Sequence, residues 1–223
     1  MSSKADNFVA PPCGDEIEII YQDEAILLVN KPSGLLTLSG KNPLNLDSVH
    51  HRLVQQFPSA LMIHRLDLGT SGLLVVALNK IAAAHINRQF QLRTVNKTYQ
   101  AVLAGQMTDD TGDIELPIAK DPLNFPKLKV CFDTGKPASS YYEVLDRQAD
   151  TDPTRVLFTP LTGRTHQLRI HSAGVGHPIL GCDLYGTPES EQMASRLLLH
   201  AMTLEFDHPL SGERMHGISP CPF

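Results

Sequence analysis

Residues 64–78 place a charged segment, a glycine-rich turn and an apolar run in immediate succession. The apolar run at residues 73–78 is typical of a buried strand, and the glycines at residues 69–72 indicate a tight turn before it. If extended geometry continues back through the charged segment, Arg65 and Asp67 share a face, because side chains two apart on a strand point the same way. The sequence therefore predicts a charged pair directed at one site.

A surface ion pair beside a turn is the simpler interpretation of an isolated Arg-x-Asp. A second polar cluster at residues 162–171 argues against it, since two such clusters rarely arise for solubility alone. There Thr165 is positioned to cap a short helix that stops near Gly174, which would project Arg169 from its first turns. A third segment, residues 97–104, alternates like a half-buried strand with Tyr99 near its middle.

The remaining pattern predicts an α+β fold with a mainly antiparallel sheet. Residues 1–16 are predicted to form a flexible arm and residues 17–223 a single domain. Asp47 and Asn79 are the expected caps of two helices. The expected elements are a hairpin at residues 17–21 and 25–29, helices at 48–57 and 80–92, and strands near 97–104, 114–118, 128–132, 139–146, 154–160 and 197–206.

Composition excludes several classes of protein. The chain of 223 residues is 42% hydrophobic and 19% charged, which is ordinary for a globular domain. Its four cysteines lie far apart and indicate reduced thiols, and its apolar runs are too short for a signal peptide or a membrane span. We therefore expect a cytoplasmic protein without membrane contact.

The formal charge of −5 argues against a protein that coats nucleic acid indiscriminately, because lysine and arginine supply most non-specific affinity. Specific RNA binding then requires basic groups to converge on one face. The candidates for that face are Lys31, Arg65, Arg88, Arg93, Lys97, Lys127, Lys129, Lys136, Arg164 and Arg169.

Several motifs, taken in order, resemble those of the RluA-type pseudouridine synthases, which isomerise uridine within RNA. The resemblance extends from about residue 17 to the C-terminus. It implies a catalytic domain of mixed sheet with helices and loops around a cleft, without the extra S4 RNA-binding module of many relatives. The motifs lie at residues 30–35, 64–67 with 70–72, 97–101, 135–138, 163–171, 176–181 and 197–201.

The resemblance implies a role for each candidate site residue. Asp67 corresponds to the catalytic aspartate and Tyr99 to the tyrosine that stacks on the target base. Arg169 corresponds to the arginine paired with that aspartate, and Arg65 to an arginine involved in displacing the target nucleotide. Arg164, in the same motif as Arg169, is a further predicted substrate-binding residue.

The chemistry fits these residue types. Pseudouridine formation breaks the bond between C1′ and N1 of the nucleoside and rejoins the base through C5, without redox change, so we expect neither cofactor nor metal. A single carboxylate can trap the sugar, stabilise its positive charge or remove a proton from it. A target base must leave its stack to be reached, and Arg65 either fills the gap or only braces Asp67.

Within the family the chain most resembles the dual-specificity branch, which modifies one uridine in 23S ribosomal RNA and one at the start of the tRNA anticodon loop. Residues 121–126 depart from the family pattern, because the chain has no tryptophan and Phe125 stands where an arginine is expected. The expected partners are thus structured RNA stem-loops, bound by a monomer. The alternatives are a synthase with a single different RNA target, an RNA-binding module without activity, and a uridine N-glycosidase.

Overall fold

The computed structural model describes residues 8–147 and 153–223. They divide into two compact units, one formed by the described residues up to Lys97 with Ala201–Pro222, the other by Thr98–His200 with Phe223. Helices are few, and the strand pairs whose register is described are antiparallel. These features confirm the predicted α+β class with a mainly antiparallel sheet.

Twelve strands and four α-helices are present among residues 8–147 and 153–223. In chain order they are β1 (Glu18–Gln22), β2 (Ile26–Lys31), α1 (Val49–Gln56), β3 (Leu61–Met62), β4 (Ser71–Ala77), α2 (Lys80–Leu92), β5 (Asn96–Leu103), β6 (Thr111–Glu115), β7 (Ile118–Lys120), β8 (Leu128–Val130), β9 (Ser139–Arg147), β10 (Thr154–Pro160), α3 (Gln167–Gly174), α4 (Pro188–Gln192), β11 (Leu199–Asp207) and β12 (Arg214–Ile218).

The first unit is built around β4, whose seven residues are all buried. Its strands follow the order β1, β2, β4, β11 and β12, and β3 also pairs with β4. Ala82 and Ile86 of α2 pack in the same apolar cluster as Val75 of β4 and Phe206 of β11. The predicted hairpin of β1 and β2 and the predicted buried strand at residues 73–78 are confirmed.

Both predicted helices of the first unit are present, but only one has the predicted cap. Asn79 accepts a hydrogen bond from the backbone N–H of Ala82 (2.9 Å) at the start of α2, as expected. The prediction of Asp47 as the cap of α1 is wrong. Ser48 accepts the bond from the His51 N–H (3.1 Å), because the Asp47 carboxylate pairs instead with Arg52 (2.7 Å).

The predicted N-terminal arm lies partly outside the described residues, which begin at residue 8. The described remainder is hydrogen-bonded within the first unit. Asn45 donates to the carbonyl of Phe8 (2.7 Å), and the Arg52 guanidinium donates to the carbonyls of Cys13 and Asp15 (both 2.6 Å). The domain boundary at residue 17 stays a prediction.

The second unit has strands in the order β5, β10, β9 and β6, with β7 and β8 as a separate two-stranded sheet. Phe158 of β10 and Leu168 of α3 belong to its main apolar cluster. Tyr99 of β5 lies opposite Phe158 in the strand register, and its half-buried side chain packs against this cluster. The strands predicted at residues 97–104, 139–146 and 154–160 are confirmed.

No helix in the described part of the chain is long and apolar enough to cross a membrane. The longest of those helices, α2, has 13 residues, whereas a membrane span needs about 20.

Gly72, at the start of β4, should not tolerate a side chain. Its φ of +111° disfavours other residues, and an added Cβ would lie 2.2 Å from the carbonyl oxygen of Ala201. We expect Gly72→Ala to lower the free energy of unfolding by at least about 3 kcal/mol in a denaturant titration. Gly212→Ala is the matched control, since Gly212 also has positive φ (+74°) but open space around it, and should cost about 1 kcal/mol. Similar losses for both variants would contradict the tight approach at Gly72.

Candidate functional site

Asp67 lies in an irregular loop between β3 and β4, not on a strand as predicted. The Thr37 side chain explains the difference, because its hydroxyl donates to the carbonyl of Leu66 (2.8 Å) and accepts from the Leu66 N–H (3.2 Å). One side chain thus satisfies both backbone groups that a partner strand would otherwise pair. The expected alternation remains, with Arg65 exposed, Leu66 buried and Asp67 half-buried.

A second set of bonds fixes the loop immediately after Asp67. The Lys31 ammonium donates to the carbonyls of Leu68 (3.1 Å), Leu35 (2.6 Å) and Pro32 (2.9 Å). Ser33 Oγ donates to the carbonyl of Gly69 (2.7 Å). The Gly34 N–H also donates to the Leu68 carbonyl, at 2.9 Å. The motif at residues 30–35 therefore forms a cradle beneath the Asp67 loop.

The prediction that Lys31 belongs to an RNA-facing basic surface is wrong, since its side chain is fully buried. Its three N–H donors match three backbone carbonyls, which makes Lys31 a structural link between two segments of the first unit. Arg169 is also buried, at 4% exposure. Lys97 is half-buried, and burial lowers its pKa. The positive charge of these residues therefore did not show which of the basic candidates are exposed to solvent.

His64 connects the start of the loop to β4. Its Nε2 accepts a hydrogen bond from the backbone N–H of Val75 (3.1 Å), and its ring lies 4.9 Å from that of Phe90. Burial, together with the positive charge of Lys97, lowers the pKa of His64 to about 3. The imidazole is therefore neutral at physiological pH with its proton on Nδ1, which leaves Nε2 free to accept.

In the second unit the buried Arg169 of α3 is held by three neighbours. Its guanidinium pairs with the carboxylate of Asp183 (2.5 Å), and its Nε donates to Cys182 Sγ (3.4 Å). Its Cζ lies 5.4 Å from the centre of the Tyr185 ring. Asp183 is thus an ionic partner that the sequence did not indicate. The predicted pairing of Arg169 with Asp67 stays a prediction.

The start of α3 differs from expectation, because Thr165 does not cap the helix. The helix begins at Gln167, after His166 in a left-handed conformation (φ 57°). The Gln167 side-chain oxygen accepts from the Arg164 N–H (2.9 Å) and the Thr162 hydroxyl (2.7 Å). The buried Gln167 side chain therefore ties the first residue of the helix to the segment before it, and the helix has no side-chain N-cap bond.

Tyr185 links this helix to β8. Its hydroxyl accepts from the backbone N–H of Leu128 (3.0 Å) and lies 2.7 Å from His166 Nδ1. Arg164, half-buried, donates from Nε to the carbonyl of Pro137 (3.0 Å). Thus Arg164 and Arg169 both belong to the start of α3, whereas Arg65 and Asp67 share one loop of the first unit.

Residues 8–147 and 153–223 contain no group of three or more histidine, cysteine, aspartate or glutamate side chains arranged to hold a metal ion. The histidines described above contact backbone groups and aromatic rings instead.

Comparison with known proteins identifies the family. A family model described as RNA pseudouridylate synthase matches residues 25–174. The chain is 50% identical over 198 residues to the dual-specificity RNA pseudouridine synthase RluA of Yersinia pestis, covering 89% of this chain and 96% of the relative. Identity to the protein of the same name from Escherichia coli (strain K12) is 46% over 213 residues, covering 96% and 97%.

A solved structure supports the same family assignment. Human RNA Pseudouridylate Synthase Domain Containing 1 superimposes with a TM-score of 0.80 at 32% identity, covering 96% of this chain and 86% of that one. The chain therefore belongs to the RNA pseudouridylate synthase family, in its RluA-type branch, which confirms the predicted family.

Replacing the buried ammonium should loosen the loop. Lys31→Met keeps an unbranched apolar side chain but leaves the carbonyls of Pro32, Leu35 and Leu68 without this donor. We expect the free energy of unfolding to fall by at least about 2 kcal/mol, the scale of leaving buried acceptors unsatisfied. Lys41→Met, at an exposed lysine, should change it by less than about 0.5 kcal/mol. Equal effects in a denaturant titration would show that the Lys31 bonds contribute nothing.

The neutral His64 should make stability depend on pH. The unfolded chain takes up a proton on this imidazole below about pH 6.5, whereas the folded chain does so only near pH 3. The free energy of unfolding should therefore fall as pH drops from 6.5 towards 3, by at most about 1.4 kcal/mol per pH unit. His64→Gln, whose amide oxygen can still accept from Val75, should flatten this dependence between about pH 4 and 6.5, and His85→Gln at an exposed histidine should not.

Proposed function

We propose that this protein converts uridine to pseudouridine in RNA, with Asp67 as the catalytic carboxylate. The observation that carries the proposal is the construction of the Asp67 loop, which lies inside the family match and is fixed by Thr37 before Asp67 and by Lys31, Ser33 and Gly34 after it. A reacting group on a loop gains precision when its supporting bonds hold it in place.

The reaction needs little beyond such a carboxylate. The bond between C1′ and N1 breaks, the base turns, and a new bond forms between C1′ and C5. A proton leaves C5 and one is gained at N1, so atoms balance without an external reactant. Asp67 stabilises or traps the electron-poor sugar, or removes a proton from it. Hydrolytic glycosidases generally use a second carboxylate to activate water, which this reaction does not require.

The proposed substrate-binding residues are Arg65, Tyr99, Arg164 and Arg169. Arg65 is exposed beside Asp67, so its planar guanidinium is available to stack where a base has been displaced. Tyr99 offers an aromatic ring to the extruded uracil. For the half-buried Arg164 and the buried Arg169, the proposal assigns orientation of the bound nucleotide.

We propose two RNA targets, a uridine in 23S ribosomal RNA and one at the start of the tRNA anticodon loop. Two relatives at 46–50% identity carry the name dual-specificity RNA pseudouridine synthase, which supports two targets over one. A synthase with a single different target is the second candidate, and the departure at residues 121–126 favours it. An enzyme acting on these RNAs works in the cytoplasm, and the family resemblance implies a monomer.

Asp67→Asn should abolish turnover. The amide keeps the size of the carboxylate but cannot trap or deprotonate the sugar, so we expect tritium release from RNA containing C5-tritiated uridine to slow by at least about 100-fold. Asp113→Asn, at an exposed aspartate of β6, should leave the rate unchanged. Tritium release with mapped pseudouridine and no free uracil is the expected product pattern.

Three outcomes would overturn the proposal in different ways. Release of free uracil indicates an N-glycosidase. RNA binding without tritium release from either tRNA or ribosomal transcripts indicates a binding module. Full turnover by Asp67→Asn removes Asp67 from the chemistry.

A further inference from the structure

Residues 118–137, here called the lysine hairpin, expose apolar side chains that the site described above does not use. The segment contains β7, a short 3-10 turn at Pro122–Asn124, β8 and the turn that follows. Leu123 is 85% exposed, Phe125 52% and Phe132 76%. Three phenylalanines are exposed within residues 8–147 and 153–223, and two of them lie here, the third being Phe8. Two exposed rings within one segment of the chain indicate a contact surface.

The hairpin is held firmly enough to present these rings. Its strands pack into a cluster where Ile118 meets Ile170 of α3, with Leu128 and Val130 against it. Ile118 and Lys136 also exchange two backbone hydrogen bonds, of 3.0 and 2.9 Å. A two-stranded sheet is marginal alone, so this packing on α3 supplies its stability.

The lysine hairpin is also basic. Lys120, Lys127, Lys129 and Lys136 are all exposed, against two aspartates in the same segment of a chain whose formal charge is −5. None of the four lysines takes part in an ion pair given for the described residues, whereas Arg52, Arg147 and Arg214 pair with acids. Lys129 lies close enough to Asp121 to contribute to the lowered pKa of that carboxyl, but all four ammonium groups are exposed and can contact an anionic partner.

The hairpin contacts residues at the start of α3 through the beginning of β8 and through its C-terminal end. Leu128 donates its N–H to Tyr185, whose hydroxyl contacts His166 and whose ring lies beside the Arg169 guanidinium. At the other end, Pro137 accepts from Arg164 (3.0 Å). A ligand on the hairpin would thus bind next to the arginines proposed to orient the target nucleotide.

We propose that the lysine hairpin is a docking surface for unpaired RNA bases that flank the target uridine. Phe125 and Phe132 stack on these bases, and the lysines contact the phosphates. Aromatic rings interleaved with lysines are typical of single-stranded nucleic acid binding, whereas lysine is depleted in protein interfaces. The proposal rests on the proposed function and adds to it the part of the RNA that this segment recognises.

The test compares RNA binding by hairpin variants in an Asp67→Asn background, where no product forms. The probe is a fluorescein-labelled tRNA anticodon stem-loop, and a fully paired duplex of the same stem serves as the second ligand. Stacking contributes about 1–3 kcal/mol per base, so Phe125→Ala with Phe132→Ala should raise Kd for the stem-loop at least about 10-fold. Its effect on the duplex should be less than about 2-fold.

Three further variants test whether ring stacking and phosphate contacts account for the RNA binding. Phe125→Leu with Phe132→Leu keeps apolar area but not the rings, and should bind as weakly as the alanine pair if stacking is responsible. Ile81→Ala, at an apolar residue of α2 that is 75% exposed, should bind normally. Lys127→Gln with Lys129→Gln should reduce the slope of log K against log salt by about 1.4, since each phosphate contact contributes about 0.7 for a single strand.

The outcomes separate this proposal from the proposed function. Stem-loop binding by the phenylalanine variants within 2-fold of Ile81→Ala would overturn the hairpin proposal. Equal weakening of stem-loop and duplex would overturn it as well. Absence of tritium release by the wild-type chain would instead overturn the proposed function.

Discussion

The contact between the Lys31 ammonium and three backbone carbonyls is the constraint on which the Asp67 loop depends. A lysine side chain completely removed from water is costly unless its donors find acceptors, and here the acceptors come from two separate chain segments. The same group that requires these carbonyls therefore fixes the distance between the segments. The Asp67 loop therefore gains its position from a residue whose own side chain is fully buried.

In the second unit, too, buried polar side chains bond to neighbouring side chains and backbone groups. Arg169 is buried and shares its charge with the exposed carboxylate of Asp183, the sulfur of Cys182 and the ring of Tyr185. Gln167 bonds to the backbone at Arg164 and Ser139, which fixes the start of α3 without a conventional cap. In both units, buried polar side chains satisfy backbone groups in irregular segments and thereby hold exposed side chains in place.

The sequence predicted most strands and helices because alternation and apolar runs report burial directly, as in β4 and β5. It failed where a side chain replaced a backbone partner. The Thr37 hydroxyl bonds to both backbone groups of Leu66 and makes a partner strand unnecessary there. Before α3, the Gln167 side chain fixes the preceding segment, and the expected Thr165 cap does not form. It also missed β12, whose residues Arg214–Ile218 do not alternate cleanly.

The site was predictable only in part. Asp67, Arg65, Tyr99, Arg164 and Arg169 were predicted from motif order and not from local physics, and their roles stay predictions. Lys31 was predicted to lie on an RNA-facing basic surface because the sequence shows the charge of a side chain but not its burial. Asp183 and Tyr185 lie 14 and 16 residues after Arg169, too far along the chain for any periodicity to connect them. Only the folded chain reveals such pairs.

Thr37 shows how a hydrogen bond can limit the substitutions that a buried position tolerates. Valine has almost the same shape and volume as threonine, so exchanging one for the other at this position would leave packing intact. The exchange would nevertheless delete one oxygen atom, and with it both hydrogen bonds to the Leu66 backbone. Sequence drift at position 37 is therefore limited by a single atom, although nothing about size or hydrophobicity would reveal that limit.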